Sequence, residues 1–168
     1  YEDVLVVQFL TLGMDVRRDQ IVRILAELEK PRAIYERSDV PSRKYEGLEL
    51  RTGLLWGELP PQPMVIKENG LSFEVDVVAG QKTGYFLDQK ENRQALAQLV
   101  PGARVLDVFC HNGPFSVHAL QFGAREVLGV DSSAQALETA RRNAALNGFT
   151  DAARFVQANA FDLLRELD

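Results

Sequence analysis

Three features of the sequence predict an α/β chain built on a parallel sheet. From Asp88 onward, short β-branched runs alternate with helix-length runs, the order of βαβ units whose strands are covered by helices on both faces. Ahead of them, Met64-Val65-Ile66-Lys67 and Leu71-Ser72-Phe73-Glu74-Val75-Asp76-Val77 flank Glu68-Asn69-Gly70, and alternation around Asn-Gly marks a hairpin. The chain also opens with a strand, helix, strand unit.

Taken in order, residues 3–12 are apolar and β-branched and read as a strand. Asp19 to Leu28 places Ile21, Val22, Ile24, Leu25 and Leu28 at helical spacing, and Arg32 to Glu36 is extended again. Residues 39–63 hold Pro41, Gly47, Gly53, Gly57, Pro60, Pro61 and Pro63 and read as irregular connection. After the hairpin come a helix from Gln89 to Leu99, a strand from Arg104 to Phe109 and a helix from Phe115 to Phe122. A strand from Glu126 to Val130, a helix from Ala134 to Leu146, a strand from Arg154 to Gln157 and a helical pattern from Phe161 to Asp168 complete the chain. The predicted boundary puts residues 1–78, hairpin included, in one domain and residues 79–168 in a second. Doubly wound domains carry about six strands. The second domain has half that, so it reads as the front half of such a fold with an unpaired sheet edge. That edge predicts pairing with a second copy, a homodimer. The chain begins on Tyr1 rather than Met and ends on a helical pattern without a cap, which together suggest a fragment.

Composition narrows the class. The 168 residues are 46% apolar and 26% charged, which excludes collagen-like, low-complexity and strongly disordered chains. The run Val4 to Leu12 is far short of the roughly 18 apolar residues that cross a bilayer, and no basic leader precedes it, so no membrane partner is expected. The sole cysteine, Cys110, excludes an internal disulfide and suits a reducing cytoplasm. Net charge is −5, and residues 1–60 carry 9 basic and 11 acidic side chains against 10 and 13 in residues 61–168. Proteins that bind nucleic acid over a broad face are usually basic, so any such contact is local or lies outside this chain.

Four constellations could carry chemistry. In Val105-Leu106-Asp107-Val108-Phe109-Cys110-His111-Asn112-Gly113-Pro114-Phe115-Ser116 a buried strand runs through a tight turn into a helix, at the sheet edge where open α/β folds bind ligands. One glycine does not make a dinucleotide fingerprint, so nicotinamide or flavin chemistry, and with it a dehydrogenase, is disfavoured. Asp107 instead suits a ligand with a positive amino group. A purely structural turn would look the same. Asp131, followed by Ser132 and Ser133, ends the second strand where a carboxylate accepts ribose hydroxyls, and it also stands where a helix is capped. In Gly80-Gln81-Lys82-Thr83-Gly84-Tyr85-Phe86-Leu87-Asp88, a glycine-flanked loop offers Lys82 and Thr83, and Asp88 with Glu91 resembles a capping box. On the residues alone, a linker that starts a helix is the simpler reading. Arg37, Arg43 and Lys44 could meet phosphates, with Tyr35 and Tyr45 available for stacking, though interspersed acids also fit a salt-bridged surface loop. Cys110 and His111 are adjacent on a turn and point apart, so nucleophilic catalysis is not expected, and His111 and His118 have no companion ligands for a metal.

Together these segments resemble the bacterial large-subunit (23S) ribosomal RNA cytosine-5 methyltransferases, a class I S-adenosylmethionine-dependent family. The matching runs are Arg37-Ser38-Asp39 with Arg43 and Glu46-Gly47-Leu48, Gly57-Glu58-Leu59-Pro60, Gly80 to Arg93, Val105 to Ser116 and Val130-Asp131-Ser132-Ser133. Gly-Gln-Lys-Thr-Gly-Tyr-Phe-Leu-Asp-Gln is the most specific of them. The resemblance implies a small central α/β domain followed by the N-terminal half of a Rossmann-like methyltransferase domain, the family's leading PUA domain lying outside this chain. It implies S-adenosylmethionine as cofactor and ribosomal RNA as partner. Asp107 and the turn through Phe109, Cys110, His111 and Gly113 would hold the methionine part, Asp131 with Ser132 the ribose, and Asn159 with Ala160 the adenine. Lys82, Thr83, Phe86 and Asp88 would close the pocket from the other side. Asn112 and Pro114 depart from the family's more usual Thr and Gly. The family's Asp-Pro-Pro segment and nucleophilic cysteine have no counterpart here, so no catalytic residue is expected in this chain and the fragment is expected to be inactive. The alternative is a non-catalytic RNA- or protein-binding module with a vestigial cofactor turn.

Overall fold

The structure, a computed structural model, describes residues 1–166 and divides into two compact units. The first takes residues 1–66 with 75–85, the second 67–74 with everything from Phe86 onward. Leu167 and Asp168, which end the expected final helix, lie outside the described residues.

In the first unit β1 (Val4–Val7) pairs in parallel with β2 (Ala33–Ser38), from Val4 opposite Ala33 to Val7 opposite Glu36. Between them run α1 (Leu12–Asp15) and α2 (Arg18–Glu29). Val22 and Ala26 of α2 close a core with Phe9 and Ile34, onto which Ile21 and Leu25 pack. Ile24 and Leu28 share the helical spacing but are exposed. The first strand also stops earlier than expected. Past Val7, the Gln8 side chain donates to the Arg37 carbonyl and the Phe9 N–H to Ser38 Oγ, so the backbone leaves the ladder.

The region expected to be irregular holds a 3₁₀ turn, Pro41–Glu46, and a further strand, β3 (Arg51–Gly57), antiparallel to β2. Only Leu55 of that strand packs on the core, while Leu54 and Trp56 are about half exposed, so no clean alternation announces it. Arg43 is fully buried: its guanidinium donates to the carbonyls of Phe9 and Glu49 and to Asp15 Oδ1, tying the chain before α1 to the segment that leads into β3.

The hairpin β4 (Met64–Glu68) and β5 (Leu71–Val75) forms as expected. The division between the units runs through it, which differs from a boundary at residue 78. Its turn end belongs with the second unit because the Ser72 and Glu74 N–H groups donate to Asn147 and Asn143 and the ring of Phe73 stacks on His118 at 5.5 Å.

The second unit continues with α3 (Lys90–Ala95), flanked by 3₁₀ turns at Leu87–Gln89 and Leu96–Gln98. Next come β6 (Arg104–Val108), α4 (Pro114–Gln121), β7 (Glu126–Asp131), α5 (Ala134–Leu146), β8 (Ala153–Gln157) and α6 (Ala160–Glu166). The strands form one parallel sheet in the order β6-β7-β8, with Asp107 opposite Gly129 and Asp131 opposite Gln157. The alternation read from Asp88 onward is therefore present, with the helix expected over Gln89–Leu99 shortened to Lys90–Ala95 and continued by a 3₁₀ turn. The expected capping box is absent: no side chain caps the turn at Leu87 or α3, and Asp88 accepts from the Gln89 side chain instead. Asn92 in turn bonds Gln89, so the side chains of this turn satisfy one another.

Gly129, in the middle of β7, lets Phe155 and Cys110 close over the strand. A Cβ there would stand 2.5 Å from the Phe155 ring and 3.1 Å from Cys110 Sγ. Gly129→Ala is expected to destabilise the chain by about 1–3 kcal/mol through overpacking. Thermal unfolding checks this, and Phe155→Leu in the same background should recover part of the loss.

Candidate functional site

The turn that follows β6 is built on conformations that cost energy. Phe109 and His111 have φ of +61° and +51°, and Gly113 has +77°. Glycine takes the left-handed region freely, but Phe and His there store roughly 1–2 kcal/mol each and need surroundings that hold them. Gly113 has a second constraint, since a Cβ would lie 3.0 Å from that of Ala140 and 3.3 Å from the Phe155 ring.

Asp131 supplies much of the hold. Its Oδ2 accepts the His111 N–H at 2.9 Å and its Oδ1 the Ser133 N–H at 2.9 Å. Ser133 Oγ then accepts the Ala136 N–H and caps α5, so capping falls to Ser133 while Asp131 joins the turn to the end of β7. A carboxylate offers about four acceptor positions. Two are used by these N–H groups, and two remain for a ligand.

Asp107 lies beneath the turn, where Ser116 Oγ donates to its Oδ2 at 2.6 Å. Burial raises its carboxyl above the usual range, against the opposing effect of that hydrogen bond. Burial also pushes the Cys110 thiol far up, with the charges of Asp107 and Asp131 adding to the rise, so a thiolate nucleophile is unavailable at this position. His111 is lowered by burial.

Beside Asp131 the structure has a hollow of about 120 Å³ bordered by Phe109, Ser132, Asn159, Ala160 and Phe161. The rings of Phe109 and Phe161 meet edge to face at 5.9 Å and are 63% and 64% exposed, so two aromatic surfaces stand largely in solvent at its rim. Asn159 Oδ1 accepts the Phe161 N–H and fixes the start of α6. The hollow thus brings together five residues expected at the site: Phe109, Asp131, Ser132, Asn159 and Ala160. Cys110, His111 and Gly113 belong to the turn after β6, and Asp107 to β6 itself. Phe161 and Ser116 were not anticipated; the only sequence signal for Phe161 was an aromatic opening an amphipathic run.

The other expected residues divide between the units. Phe86 belongs to the second, its ring edge-on to His111 at 5.5 Å, and Asp88 lies on the 3₁₀ turn after it. Lys82 and Thr83 belong to the first, where Thr83 Oγ1 is hydrogen-bonded to the Tyr1 hydroxyl. The expected phosphate contacts are corrected by burial. Arg37 is interior, paired with Asp39 through two 3.2 Å contacts and donating to the carbonyls of Val77 and Gly80, and Arg43 is the buried anchor already described. The Arg37 hydrogen bond holds Asp39 below the usual carboxylate range. Lys44 and Tyr45 remain on the surface, whereas Tyr35 is buried. Among the described residues no group of three or more His, Cys, Asp and Glu is placed to hold a metal ion, and no helix is long and apolar enough to cross a membrane.

A parallel sheet whose first strand leads into a strained turn, and whose second ends on an acid beside a hollow, is the arrangement in which open α/β domains bind ligands outside the carboxyl ends of their strands. Residues 48–166 match the profile of the S-adenosylmethionine-dependent methyltransferases, and the chain belongs to that family. It is 51% identical over 168 residues to Ribosomal RNA large subunit methyltransferase I of Aeromonas hydrophila, covering 99% of this chain and 42% of that protein. The protein of the same name from Shewanella amazonensis is 49% identical over 167 residues, again with 42% of its length covered. Among solved structures, a SAM-dependent methyltransferase from Streptococcus mutans superposes with a TM-score of 0.83 at 25% identity, over 98% of this chain and 42% of that one. A methyltransferase complexed with SAH superposes with a TM-score of 0.84, also at 25% identity and with the same coverage. The chain spans about two fifths of the length of these relatives.

The raised Asp107 carboxyl makes stability depend on pH. Between the usual carboxylate pKa and its raised native value, the folded state binds more protons than the unfolded one, so stability falls as pH rises through that window. Urea midpoints measured against pH should show this slope in the wild-type chain and lose it in Asp107→Asn.

Proposed function

We propose that this chain forms part of a methyltransferase that moves a methyl group from S-adenosylmethionine to C5 of a cytosine in ribosomal RNA, and that its second unit holds the cofactor. The observation that carries the reading is Asp131, whose two remaining acceptor positions border a hollow faced by Phe109 and Phe161. That donor set suits an adenosine: a carboxylate for the two ribose hydroxyls, aromatic faces for a purine, and Asn159 with Ala160 along its edge. The relatives named for ribosomal RNA methylation support the substrate class.

When bound, the cofactor supplies a methyl group activated on a sulfonium sulfur. The chain's own residues bind and orient it. Asp131 with Ser132 takes the ribose. The turn from Phe109 through Cys110 and His111 to Gly113 would hold the methionine end, and the Asp107 carboxyl, which burial alone makes harder to ionise, would pair with its ammonium group. Phe86 braces the turn through His111. Lys82, Thr83 and Asp88 join this assignment on the family resemblance alone. Cys110 is not the thiol that adds to the base, since burial keeps it protonated, so that group comes from elsewhere in the intact protein. Of the three basic residues considered for RNA, Lys44 is the exposed one. A reducing, cytoplasmic setting accords with the lone buried cysteine.

Calorimetric titration of the chain with S-adenosylhomocysteine tests the cofactor assignment. Binding is expected, weakened about tenfold or more in Asp131→Ala, in line with the loss of a charged hydrogen-bond acceptor. A wild-type chain that takes up none overturns it. The substrate class is tested on the intact protein by methyl transfer to 23S ribosomal RNA, and a protein that binds cofactor yet methylates no RNA overturns that part alone.

The sheet order leaves β6 without a second neighbour among the described residues, and Leu106 is 40% exposed on it, which supports self-association of this chain through the edge. Sedimentation across a wide concentration range should reveal a dimer. A strictly monomeric chain contradicts the pairing.

A further inference from the structure

The second unit contains a buried charge network that the cofactor assignment leaves unused. Glu68, at the end of β4, is 5% exposed, and Arg93, in α3, is 1% exposed. Arg93 Nε donates to Glu68 Oε1 at 2.6 Å, while its second guanidinium nitrogen donates to Glu68 Oε2 and to the Phe86 carbonyl, each at 2.9 Å. The guanidinium also lies 5.8 Å from the centre of the Phe115 ring, at the start of α4. His118 closes the group, with Nε2 at 3.6 Å from Glu68 Oε1 and Nδ1 bonded to the Pro114 carbonyl at 2.7 Å. Burial lowers the His118 pKa, which favours its neutral form, so the network centres on one carboxylate and one guanidinium.

A buried ion pair is weak evidence for stability, because an apolar pair of the same volume often serves as well. What a guanidinium adds is a rigid planar fork, able to fix a carboxylate and a carbonyl at once. Here the fixed carbonyl belongs to Phe86, whose ring meets His111 edge-on at 5.5 Å, and the His111 N–H reaches Asp131 at 2.9 Å. His111, with φ of +51°, is one of the two non-glycine residues of the turn that require support from their surroundings.

We infer that Arg93, oriented by Glu68, is a positioning residue for the cofactor turn: it fixes Phe86 so that the Phe86 ring holds His111 in the left-handed conformation that aims its N–H at Asp131. The consequence for cofactor affinity rests on the assignment of Asp131 to the ribose. The geometry of the turn does not, so the two can fail separately.

The test uses the full 168-residue chain in four variants: Arg93→Lys, which keeps the charge but loses the fork, Phe86→Leu, the double variant, and Glu68→Gln as a milder change at the other end of the pair. The first readout is the His111 amide resonance and its hydrogen exchange without ligand; the second is S-adenosylhomocysteine affinity. Leu137→Ala, in the buried face of α5, serves as a control that lowers stability without touching the network. Arg93→Lys and Phe86→Leu should each shift the His111 amide and speed its exchange beyond the control, and each should weaken binding by about tenfold, the double variant being no worse than Phe86→Leu alone. If Arg93→Lys does not fold, Glu68→Gln and Phe86→Leu must still move the His111 amide. A His111 amide that follows only global stability, as in Leu137→Ala, overturns the inference, and so do losses that multiply in the double variant. Wild-type protein that binds no ligand, with His111 still responding to Arg93, would instead remove the cofactor assignment and leave the positioning role standing.

Discussion

The second unit depends on the carboxylate of Asp131. It sits at the end of β7 and receives one N–H from the turn after β6 and another from the start of α5, so two βα connections are referred to one side chain. The N–H it takes from His111 belongs to a residue held at positive φ, so the bond offsets part of the strain that keeps the turn tight. Without it, a histidine would have little reason to stay in the left-handed region. Because only two of its acceptor positions are used internally, the group that shapes the turn also faces the hollow. The shape of the turn and the polar lining of the hollow are thus set by the same residue.

Buried charge elsewhere in the chain ties segments together. In the first unit, Arg43 reaches the carbonyls of Phe9 and Glu49 and the carboxylate of Asp15, and Arg37 reaches Asp39, Val77 and Gly80. In the second, Arg93 joins Glu68 and Phe86. Removing one partner of such a group leaves a desolvated charge, at roughly 3–5 kcal/mol. These arginines are therefore part of the interior, and the basic residues left on the surface are fewer than the sequence count suggests.

How much of this was legible follows from where the information lies. The βαβ order after Asp88 is local: each strand and helix carries its own periodicity, and from β6 onward the described elements lie within a residue or so of their expected ends, whereas the helix expected over Gln89–Leu99 is an α-helix only to Ala95. Asp131 could be read for the same reason, as an acid at the end of a second strand. Phe161 could not, because its partner Phe109 is far away in sequence and only the folded sheet brings the two rings to 5.9 Å. The strand β3 stayed hidden because glycines interrupt it and its apolar residues face both ways. Arg37 and Arg43 looked like surface charges since a run of mixed charges has the same appearance whether its arginines point out or in, and burial is a tertiary property. The hairpin was legible as a hairpin, but its division between units was not, because that follows from Asn143, Asn147 and His118, which meet it only in the fold.

On the proposed assignment, adenosine sits in the hollow between Phe109 and Phe161, on Asp131. A crystal structure of this chain with S-adenosylhomocysteine tests it most directly. Both ribose hydroxyls are expected within hydrogen-bond distance of the Asp131 carboxylate, with the purine against the two phenyl rings. A ligand seated away from Asp131, or a ribose turned from it with the purine outside the hollow, would contradict it.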